Sequence, residues 1–236
     1  MSSTPLPREQ FPVADRYRYL DHAGVCAPPA VVAHAIARDA STATMFGSVA
    51  GSRRADRTEE VRARCAGLLG VPVDDVAFVK NTTEGLGFVA NGLTWAPGDR
   101  VVVADREFPS TVFPWLGLRD LGVEVDLLDP VGQGWTLPPE RFEEALVAGG
   151  GRVRAVVVSW VQFARGWRSD LAVLADLAHR HGAILVADVI QGLGVLPAHL
   201  ADWGVDAAMA DAHKWLLGPE GIGVLYVTPA LRERLR

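Results

Sequence analysis

Lysine is the residue type that this sequence most nearly lacks. Only Lys80 and Lys214 occur among the 236 residues, and arginine and histidine supply the other basic side chains. Arginine cannot replace lysine where an amine must form an imine, because its guanidinium group stays protonated. The lysine that stands between His213 and Trp215 is therefore a candidate for amine chemistry.

The composition also disfavours several functional classes. Cys26 and Cys65 are too few for a disulfide framework and lack metal-ligand spacing. The net charge is −5, from 23 basic and 28 acidic side chains without a basic run, which argues against nucleic acid as a main partner. No apolar run has the length of a membrane span, and the N-terminus lacks the apolar core of a signal peptide. We expect a soluble cytoplasmic protein with no metal site and no membrane partner.

Neither of two common nucleotide-binding loops is complete in this sequence. Gly192-Leu-Gly194 begins like a dinucleotide-binding Gly-x-Gly-x-x-Gly loop, but Pro197 replaces the third glycine. A proline there would disturb the helix that has to follow. A Walker-type phosphate loop does not occur either. The sequence therefore argues against both kinds of nucleotide site.

Short β-rich runs alternate with stretches of helical periodicity. This alternation predicts an α/β fold, a three-layer αβα arrangement in which helices cover both faces of a mostly parallel seven-stranded sheet. The predicted strands cover residues 76–80, 100–104, 123–128, 155–161, 183–188, 205–210 and 222–227. The predicted helices cover residues 29–45, 55–69, 83–91, 138–148 and 171–181.

Two parts of unequal size are expected along the chain. Residues 1–50 form an N-terminal segment and a helix, and residues 51–236 form one large domain. Glycines in residues 47–51 predict a flexible loop between the first two helices. Residues 231–236 have the pattern of a further helix that is only beginning.

Polar side chains occur where predicted strands end, which is where ligands bind in such sheets. Asp188 ends an apolar strand, Gln191 follows it closely, and Lys214 follows the sixth strand. Pyridoxal 5′-phosphate (PLP) needs a carboxylate at its pyridine nitrogen, a donor at its phenolic oxygen and an amine for a Schiff base. These three residues supply all three groups. The alternatives are an aspartate that caps the following turn, a solvated glutamine and a surface lysine.

The sequence Asn81-Thr-Thr-Glu84 predicts a helix N-terminus directly after a strand. Asn81 is the expected N-cap, and Glu84 would complete a capping box. The backbone N–H groups and hydroxyls of Thr82 and Thr83 would then face outward, where a phosphate can bind. An ordinary capped helix without a ligand is the alternative.

Five further side chains are weaker candidates. His213 either contacts a phosphate or packs in its turn. Phe108 either stacks on a flat ring or belongs to the core. Contacts near a substrate are conceivable for His22, Ser110 and Gln162.

These motifs resemble the class V aminotransferase family of fold type I PLP enzymes, which includes cysteine desulfurases, selenocysteine lyases, kynureninases and isopenicillin N epimerase-like proteins. The similar segments run nearly from end to end and cover residues 19–24, 81–85, 107–115, 188–191 and 213–223. The last two segments are the most specific.

The resemblance implies a role for each candidate. Lys214 would be the Schiff-base lysine and would move the α-proton of the substrate. Asp188 would pair with the pyridine nitrogen and Gln191 with the phenolic oxygen. Thr82, Thr83 and His213 would bind the phosphate, and Phe108 would cover the ring face. The resemblance further implies a homodimer with sites at the subunit boundary.

Three departures from the family pattern are visible. Many relatives carry histidine where Phe108 stands. Position 211 is often a serine that donates to the phosphate, whereas Asp211 is an acceptor of like charge and must point away or pair elsewhere. Relatives also have a small C-terminal domain with an arginine that binds the substrate carboxylate, and we expect this domain to be absent here. Arg165 or Arg168 is a conceivable substitute.

The expected function is that of a PLP-dependent enzyme, a transferase or lyase, that acts on a small-molecule amino acid. Desulfuration, transamination, epimerisation and other lyase reactions share the same first steps, so the sequence does not select one. The alternative is a truncated or non-catalytic PLP-binding protein without a site for the substrate carboxylate.

Overall fold

Seven strands form a single mixed sheet in the computed structural model, which describes residues 6–129 and 136–236 and omits the side chains of residues 52 and 53. The strands are β1 (Val76–Val79), β2 (Arg100–Ala104), β3 (Glu124–Leu128), β4 (Val153–Ser159), β5 (Ile184–Asp188), β6 (Ala207–Asp211) and β7 (Gly223–Val227). Their order across the sheet is β1-β7-β6-β5-β4-β2-β3. β7 is antiparallel to both of its neighbours, and the remaining pairs are parallel. The predicted fold class is confirmed.

Helices cover both faces of this sheet. They are α1 (Ala30–Phe46), α2 (Gly51–Leu69), α3 (Thr82–Gly92), α4 (Pro109–Leu116), α5 (Pro139–Ala148), α6 (Leu171–Arg180) and α7 (Pro229–Arg232). Short 3-10 helices lie at Arg8–Gln10, Pro12–Asp15, Gly47–Ala50, Val73–Asp75 and Gly117–Leu121. None of the helices in the described ranges combines the length and the apolarity that a membrane span requires.

The core is divided by the sheet into two layers. On one face, Leu146 of α5 and Leu174 of α6 pack with Val102, Val156 and other alternate strand residues. On the opposite face, the next residues along the same strands pack against α3 and α4 in a second cluster. Strands buried on both faces have no polar side to present, which explains the continuous apolar runs in the sequence.

Some boundaries differ from those predicted. The fourth strand ends at Ser159. The backbone N–H of Trp160 still donates to the carbonyl oxygen of Asp188, but its own carbonyl oxygen accepts from Ser169, and its ring packs 5.3 Å from that of Trp203. The predicted flexible loop at residues 47–51 is wrong: Gly47–Ala50 is a 3-10 helix, and α2 already begins at Gly51. The small residues of this segment allow the backbone to continue as a 3-10 helix between α1 and α2.

Helix α4 was not predicted, because two prolines interrupt its pattern. Pro109 occupies the first helical position, where its missing N–H would have no intrahelical partner in any case. Pro114 lies inside the helix, which spans only 8 residues. The helix still forms because it buries Thr111 and Trp115 against the sheet.

Gly192 and Gly194, the glycines of the incomplete dinucleotide motif, allow close contacts that a side chain would block. Turns rather than a helix follow β5, as the presence of Pro197 led us to expect. A Cβ on Gly192 would lie 2.3 Å from the ring of Trp160, and a Cβ on Gly194 would lie 2.5 Å from the carbonyl oxygen of Trp215. The loop after β5 therefore passes directly against the loop that carries Lys214.

Replacing Gly194 with alanine should destabilise the protein through this close approach. Gly194 has φ +99°, and its Cβ would meet backbone. Gly221→Ala is the matched control, because Gly221 has φ +84° but nothing within 4 Å of the Cβ position. The control should lose about 1–2 kcal/mol from backbone strain, and Gly194→Ala about 1–3 kcal/mol more from the clash. Urea unfolding measures both, and equal losses would contradict the contact.

Candidate active site

A cavity of about 520 Å³ lies at the carboxyl ends of the parallel strands. Its described lining includes six of the seven predicted cofactor residues. These are Thr82, Thr83, Phe108, Gln191, His213 and Lys214. The seventh, Asp188, is only 2% exposed and does not belong to the lining. Asp21, Ala23, Gly24 and Val25 of the N-terminal segment form another part of the wall.

Lys214 is a buried amine that faces this cavity. It is 7% exposed, and its Nζ lies 5.4 Å from the centre of the Phe108 ring. Within the described ranges, Nζ makes neither a hydrogen bond nor an ion pair closer than 4 Å. Burial lowers the pKa of Lys214, and the carboxylates of Asp188 and Asp211 act against this effect. A lowered pKa increases the fraction of free amine, which is the nucleophilic form.

Asp188 has a carboxyl group that is buried but hydrogen-bonded. Its Oδ2 accepts from the Thr111 hydroxyl at 3.0 Å, and its Oδ1 accepts from the backbone N–H of Ile190 at 3.0 Å. The second bond shows that Asp188 does cap the following turn. Each oxygen still has a lone pair for another donor. Burial raises the pKa of Asp188 to about 6, although its two hydrogen bonds and the charge of Lys214 act in the opposite direction.

The N-terminus of α3 opens on the cavity. The Asn81 side chain accepts from the backbone N–H of Glu84 at 2.8 Å, as predicted for the N-cap. The expected capping box is wrong in one respect, because Glu84 accepts from the backbone N–H of Lys80, at 2.7 Å, rather than from that of Asn81. An ion pair of 2.9 Å between Lys80 and Glu84 draws the carboxylate toward that residue.

Asp211, the last residue of β6, reaches across to this helix. Its Oδ1 accepts from the Thr82 hydroxyl at 2.9 Å, and its Oδ2 lies 3.5 Å from Nδ1 of His213. The carboxyl group therefore pairs with other side chains, as its chemistry required, but it does so within the cavity wall. Burial raises the pKa of Asp211, while the Thr82 hydroxyl and His213 act in the opposite direction.

Gln191 connects three parts of the site. Its Nε2 donates to the carbonyl oxygen of Ala23 at 2.9 Å, and its Oε1 accepts from the Trp215 indole at 3.0 Å. Among the residues that the structure describes, the second N–H of the amide has no partner, so it is available to a ligand. The backbone N–H of Cys26 also donates to the carbonyl oxygen of His213, at 2.7 Å. The N-terminal segment is thus fastened to the lysine loop.

The weaker candidates are distributed unevenly. Ser110 and Phe108 line the cavity, and the Phe108 ring is 45% exposed. His22 stacks on Trp215 and does not line the cavity. The Gln162 side chain donates to the carbonyl oxygen of Arg106 in the loop after β2, and its Oε1 accepts from the backbone N–H groups of Ala164 and Arg165 in its own loop.

Neither of the two arginines considered for the substrate carboxylate lines the cavity that contains Lys214. The Arg168 guanidinium lies 5.9 Å from the centre of the Trp160 ring, beside a different cavity. Arg165 is not among the described residues that line the cavity with Lys214. Both arginines belong to the loop after β4. Phe163 of this loop lines the cavity, but the two arginines do not.

Two buried residues of the site were missed. Thr111 lies on the unpredicted helix α4 and holds Asp188. Glu107 accepts from both the backbone N–H and the hydroxyl of Ser159, at 2.9 Å and 2.6 Å, and Ser159 is paired in register with Asp188. An acid soon after a buried strand was the available signal for Glu107, as it was for Asp188.

The buried Glu107 should make the stability of the apoprotein depend on pH. Burial raises the pKa of Glu107 from 4.5 to about 7, so the folded state binds this proton more tightly than the unfolded state. The free energy of unfolding should therefore fall as the pH rises through this window, by about 3 kcal/mol for this group. Glu107→Gln should remove this contribution, so that the fall measured by urea unfolding becomes smaller by about 3 kcal/mol.

Glu84→Gln is the control for this experiment. Hydrogen bonds from Lys80 lower the pKa of Glu84, so its contribution has the opposite sign and is lost as the pH falls. The decrease with rising pH should thus persist in Glu84→Gln. An unchanged decrease in Glu107→Gln would show that Glu107 is not its source.

The arrangement fits PLP in four respects. The buried amine of Lys214 faces the cavity and has no close polar partner among residues 6–129 and 136–236, and a buried carboxyl group with remaining acceptor capacity lies nearby at Asp188. The exposed ring of Phe108 offers a flat apolar surface beside the amine. The helix N-terminus at Thr82 and Thr83 provides backbone N–H donors for an anion.

Comparisons with known proteins identify the family and the fold of this chain. The family described as Aminotransferase class-V matches residues 18–236. A probable cysteine desulfurase of Methanothermobacter thermautotrophicus is 32% identical over 232 residues, which are 97% of this chain and 57% of that protein. The crystal structure of the cysteine desulfurase CsdA of Escherichia coli superposes with a TM-score of 0.86 and 28% identity, and covers 97% of this chain and 58% of that chain.

A third comparison concerns the fold alone. A mutant of C-DES with glycine covalently linked to its PLP cofactor is 22% identical, with a TM-score of 0.87 over 99% of this chain and 62% of that chain. The chain thus spans about 57–62% of the length of these relatives. Because the family match extends over nearly the whole sequence, the chain belongs to the class V aminotransferase family.

Proposed function

We propose that this chain is the PLP-binding part of an enzyme that acts on an amino acid. The observation that carries the proposal is the buried Lys214 amine, which faces the cavity with no hydrogen-bonding partner among the described residues. Burial lowers its pKa, as covalent chemistry at an amine requires. Family membership and the PLP-linked C-DES structure of the same fold also support this proposal.

Bound PLP supplies an electron sink for the bonds around the α-carbon of an amino acid. In this proposal the Lys214 amine would hold the cofactor covalently and, once an amino-acid substrate has bound, would carry its α-proton. The Phe108 ring lies on the lysine side of the cavity and restricts how a flat ring can be placed there.

Asp188 is proposed to hold the proton of the pyridine nitrogen. A carboxylate buried among apolar strand residues is stabilised strongly by a cationic partner, because water does not compete there. Thr111 and the N–H of Ile190 fix the carboxyl group so that it need not reorganise when the partner binds. Gln191 is the proposed donor to the phenolic oxygen, through the N–H that Ala23 leaves free.

Thr82, Thr83 and His213 are proposed to anchor the phosphate. Thr82 and Thr83 at the start of α3 line the cavity, and the helix dipole favours an anion there. The substrate is proposed to be a small amino acid. Desulfuration is one candidate reaction because several relatives carry the name cysteine desulfurase, and transamination, epimerisation and other lyase reactions use the same groups.

We further propose a cytoplasmic homodimer. The free thiols of Cys26 and Cys65 are typical of a reducing compartment. Phe88 on α3 and Phe113 on α4 are 54% and 64% exposed, and aromatic side chains of this kind are enriched at subunit interfaces. Sedimentation equilibrium should detect the dimer, and a stable PLP-loaded monomer would contradict it.

The experiment for the proposed function separates an enzyme from a PLP-binding protein. PLP is added to the purified chain, and its binding is followed by visible absorbance and by the shift of the unfolding temperature. The loaded protein is then assayed with L-cysteine, L-alanine and L-kynurenine. Binding with turnover supports the enzyme, binding without turnover supports the non-catalytic alternative, and absence of binding excludes both.

A further inference from the structure

The phosphate end of the cavity contains a carboxyl group where an anion is proposed to bind. Asp211 accepts from the Thr82 hydroxyl at 2.9 Å, and its side chain is only 11% exposed. Thr82 and Asp211 line the same cavity as Thr83 and His213. A phosphate dianion and an ionised carboxylate would repel each other there, because few water molecules screen them.

The Thr82 hydroxyl, which has a single proton, is a second reason why an ionised Asp211 disfavours a bound phosphate. A hydroxyl donates one hydrogen bond, and Thr82 gives its hydrogen bond to Asp211. While Asp211 is ionised, this hydroxyl has no proton to offer a phosphate. If Asp211 is protonated, its O–H can donate to Thr82 Oγ1, and the hydroxyl of Thr82 can then donate into the cavity.

We propose that Asp211 is a proton-binding member of the phosphate site, so that binding the phosphorylated cofactor takes up one proton from solvent onto this carboxyl group. The inference rests on the proposed function and deepens it. Protonation removes the like charge and frees the Thr82 hydroxyl in one step. Asp211 is thus a positioning residue that selects the protonation state in which this chain accepts a phosphate.

The surroundings of Asp211 support protonation of this group. Burial raises its pKa, while the hydrogen bonds from the hydroxyl and the backbone N–H of Thr82 and the nearby His213 and Lys214 act in the opposite direction. Asp188 is a further carboxyl group close enough to interact with it. From β7, Gly223 lies opposite Asp211 and adds no charge, and a Cβ there would lie 3.2 Å from Asp211 Oδ1.

The experiment compares two probes that cannot form an imine. Pyridoxine 5′-phosphate and pyridoxine differ only in the phosphate, so the ratio of their Kd values isolates the phosphate contribution. Calorimetry gives both Kd values between pH 7 and pH 9. In the wild-type protein the phosphate advantage should fall about tenfold per pH unit once Asp211 is ionised. In Asp211→Asn it should stay constant and exceed the wild-type value by about tenfold or more at pH 8.5.

Further variants assign the proton to one residue. His213→Gln should keep the wild-type pH dependence, and Asp211→Ser, which cannot ionise, should lack it. Proton uptake, measured as the dependence of the binding heat on the buffer, should be close to one in wild type and close to zero in Asp211→Asn. Circular dichroism verifies that each variant is folded.

The outcomes separate this inference from the proposed cofactor site. A phosphate advantage that is constant with pH in the wild-type protein would overturn the role of Asp211 and leave the cofactor site intact. If His213→Gln, rather than Asp211→Asn, abolishes the pH dependence of the phosphate advantage, the role of Asp211 is also overturned and the proposed cofactor site stays intact. If the phosphate brings no advantage at any pH in any variant, the proposed phosphate site itself is wrong, and this inference fails with it.

Discussion

Lys214→Ala should abolish covalent attachment of PLP completely. The wild-type protein treated with PLP and borohydride should carry a pyridoxyl group on the peptide that contains Lys214. The variant should carry none, because no other amine borne by a side chain lies in the described wall of the cavity. Turnover of any amino-acid substrate should also fall by about 10²- to 10⁴-fold, since the variant lacks the group that moves the α-proton.

Lys80→Ala is the matched control, since the chain has only these two lysines. The Lys80 side chain is 76% exposed and is ion-paired with Glu84. Its removal should leave the adduct on Lys214 unchanged. Mass spectrometry of the digested protein distinguishes the two peptides, and an adduct that persists in Lys214→Ala but disappears in Lys80→Ala would reverse the assignment.

Asp188→Asn should increase the stability of the apoprotein and decrease its affinity for PLP. The folded pKa of Asp188 is about 6, above its ordinary value of 3.8, so the ionised carboxyl group opposes folding above this window. Removing the charge should raise the free energy of unfolding at pH 8 by about 3 kcal/mol. The variant also loses a charge-assisted hydrogen bond worth about 1.5–3 kcal/mol, which corresponds to PLP binding weaker by about 10- to 100-fold.

These two opposite effects make the test specific. Urea unfolding of the apoprotein and PLP titration are measured on the same preparations. Asp75→Asn is the control, because Asp75 is buried and paired with Arg232 but directly precedes β1, at the opposite edge of the sheet from the carboxyl ends where the cavity lies. It should leave PLP affinity unchanged. Equal PLP affinity in wild type and Asp188→Asn would remove Asp188 from its proposed role.

Much of the fold was predictable because the pattern repeats. Strands buried on both faces give unbroken apolar runs, and β2 was predicted with its observed ends. Helix α4 was not predictable, because its two prolines hide a helix that exists through the burial of Thr111 and Trp115. The fourth strand was placed two residues too late at each end, because the charged Arg154 interrupts its start and the apolar run continues through Trp160 and Val161 beyond its end.

Some residues of the candidate site could likewise be predicted from the sequence and others could not. Asp188, Lys214 and Thr82 could be predicted because each follows a strand of a largely parallel sheet, and the carboxyl ends of such strands meet at one edge. Glu107 and Thr111 were missed because their importance depends on what they contact. Ser159 and Asp188 lie 52 and 77 residues away from them along the chain.

The sequence by itself determined the fold class and the chemical groups of the site, because periodicity and position after a strand are local properties of the chain. The tertiary structure alone decided how those groups are paired. Thr82 and Asp211 are 129 residues apart, yet their side chains share one hydrogen bond at the proposed phosphate site. Gln191 is 168 residues from Ala23 and holds the N-terminal segment against the site. Such contacts depend on which loops the sheet brings together, and burial then sets the pKa values on which the chemistry depends.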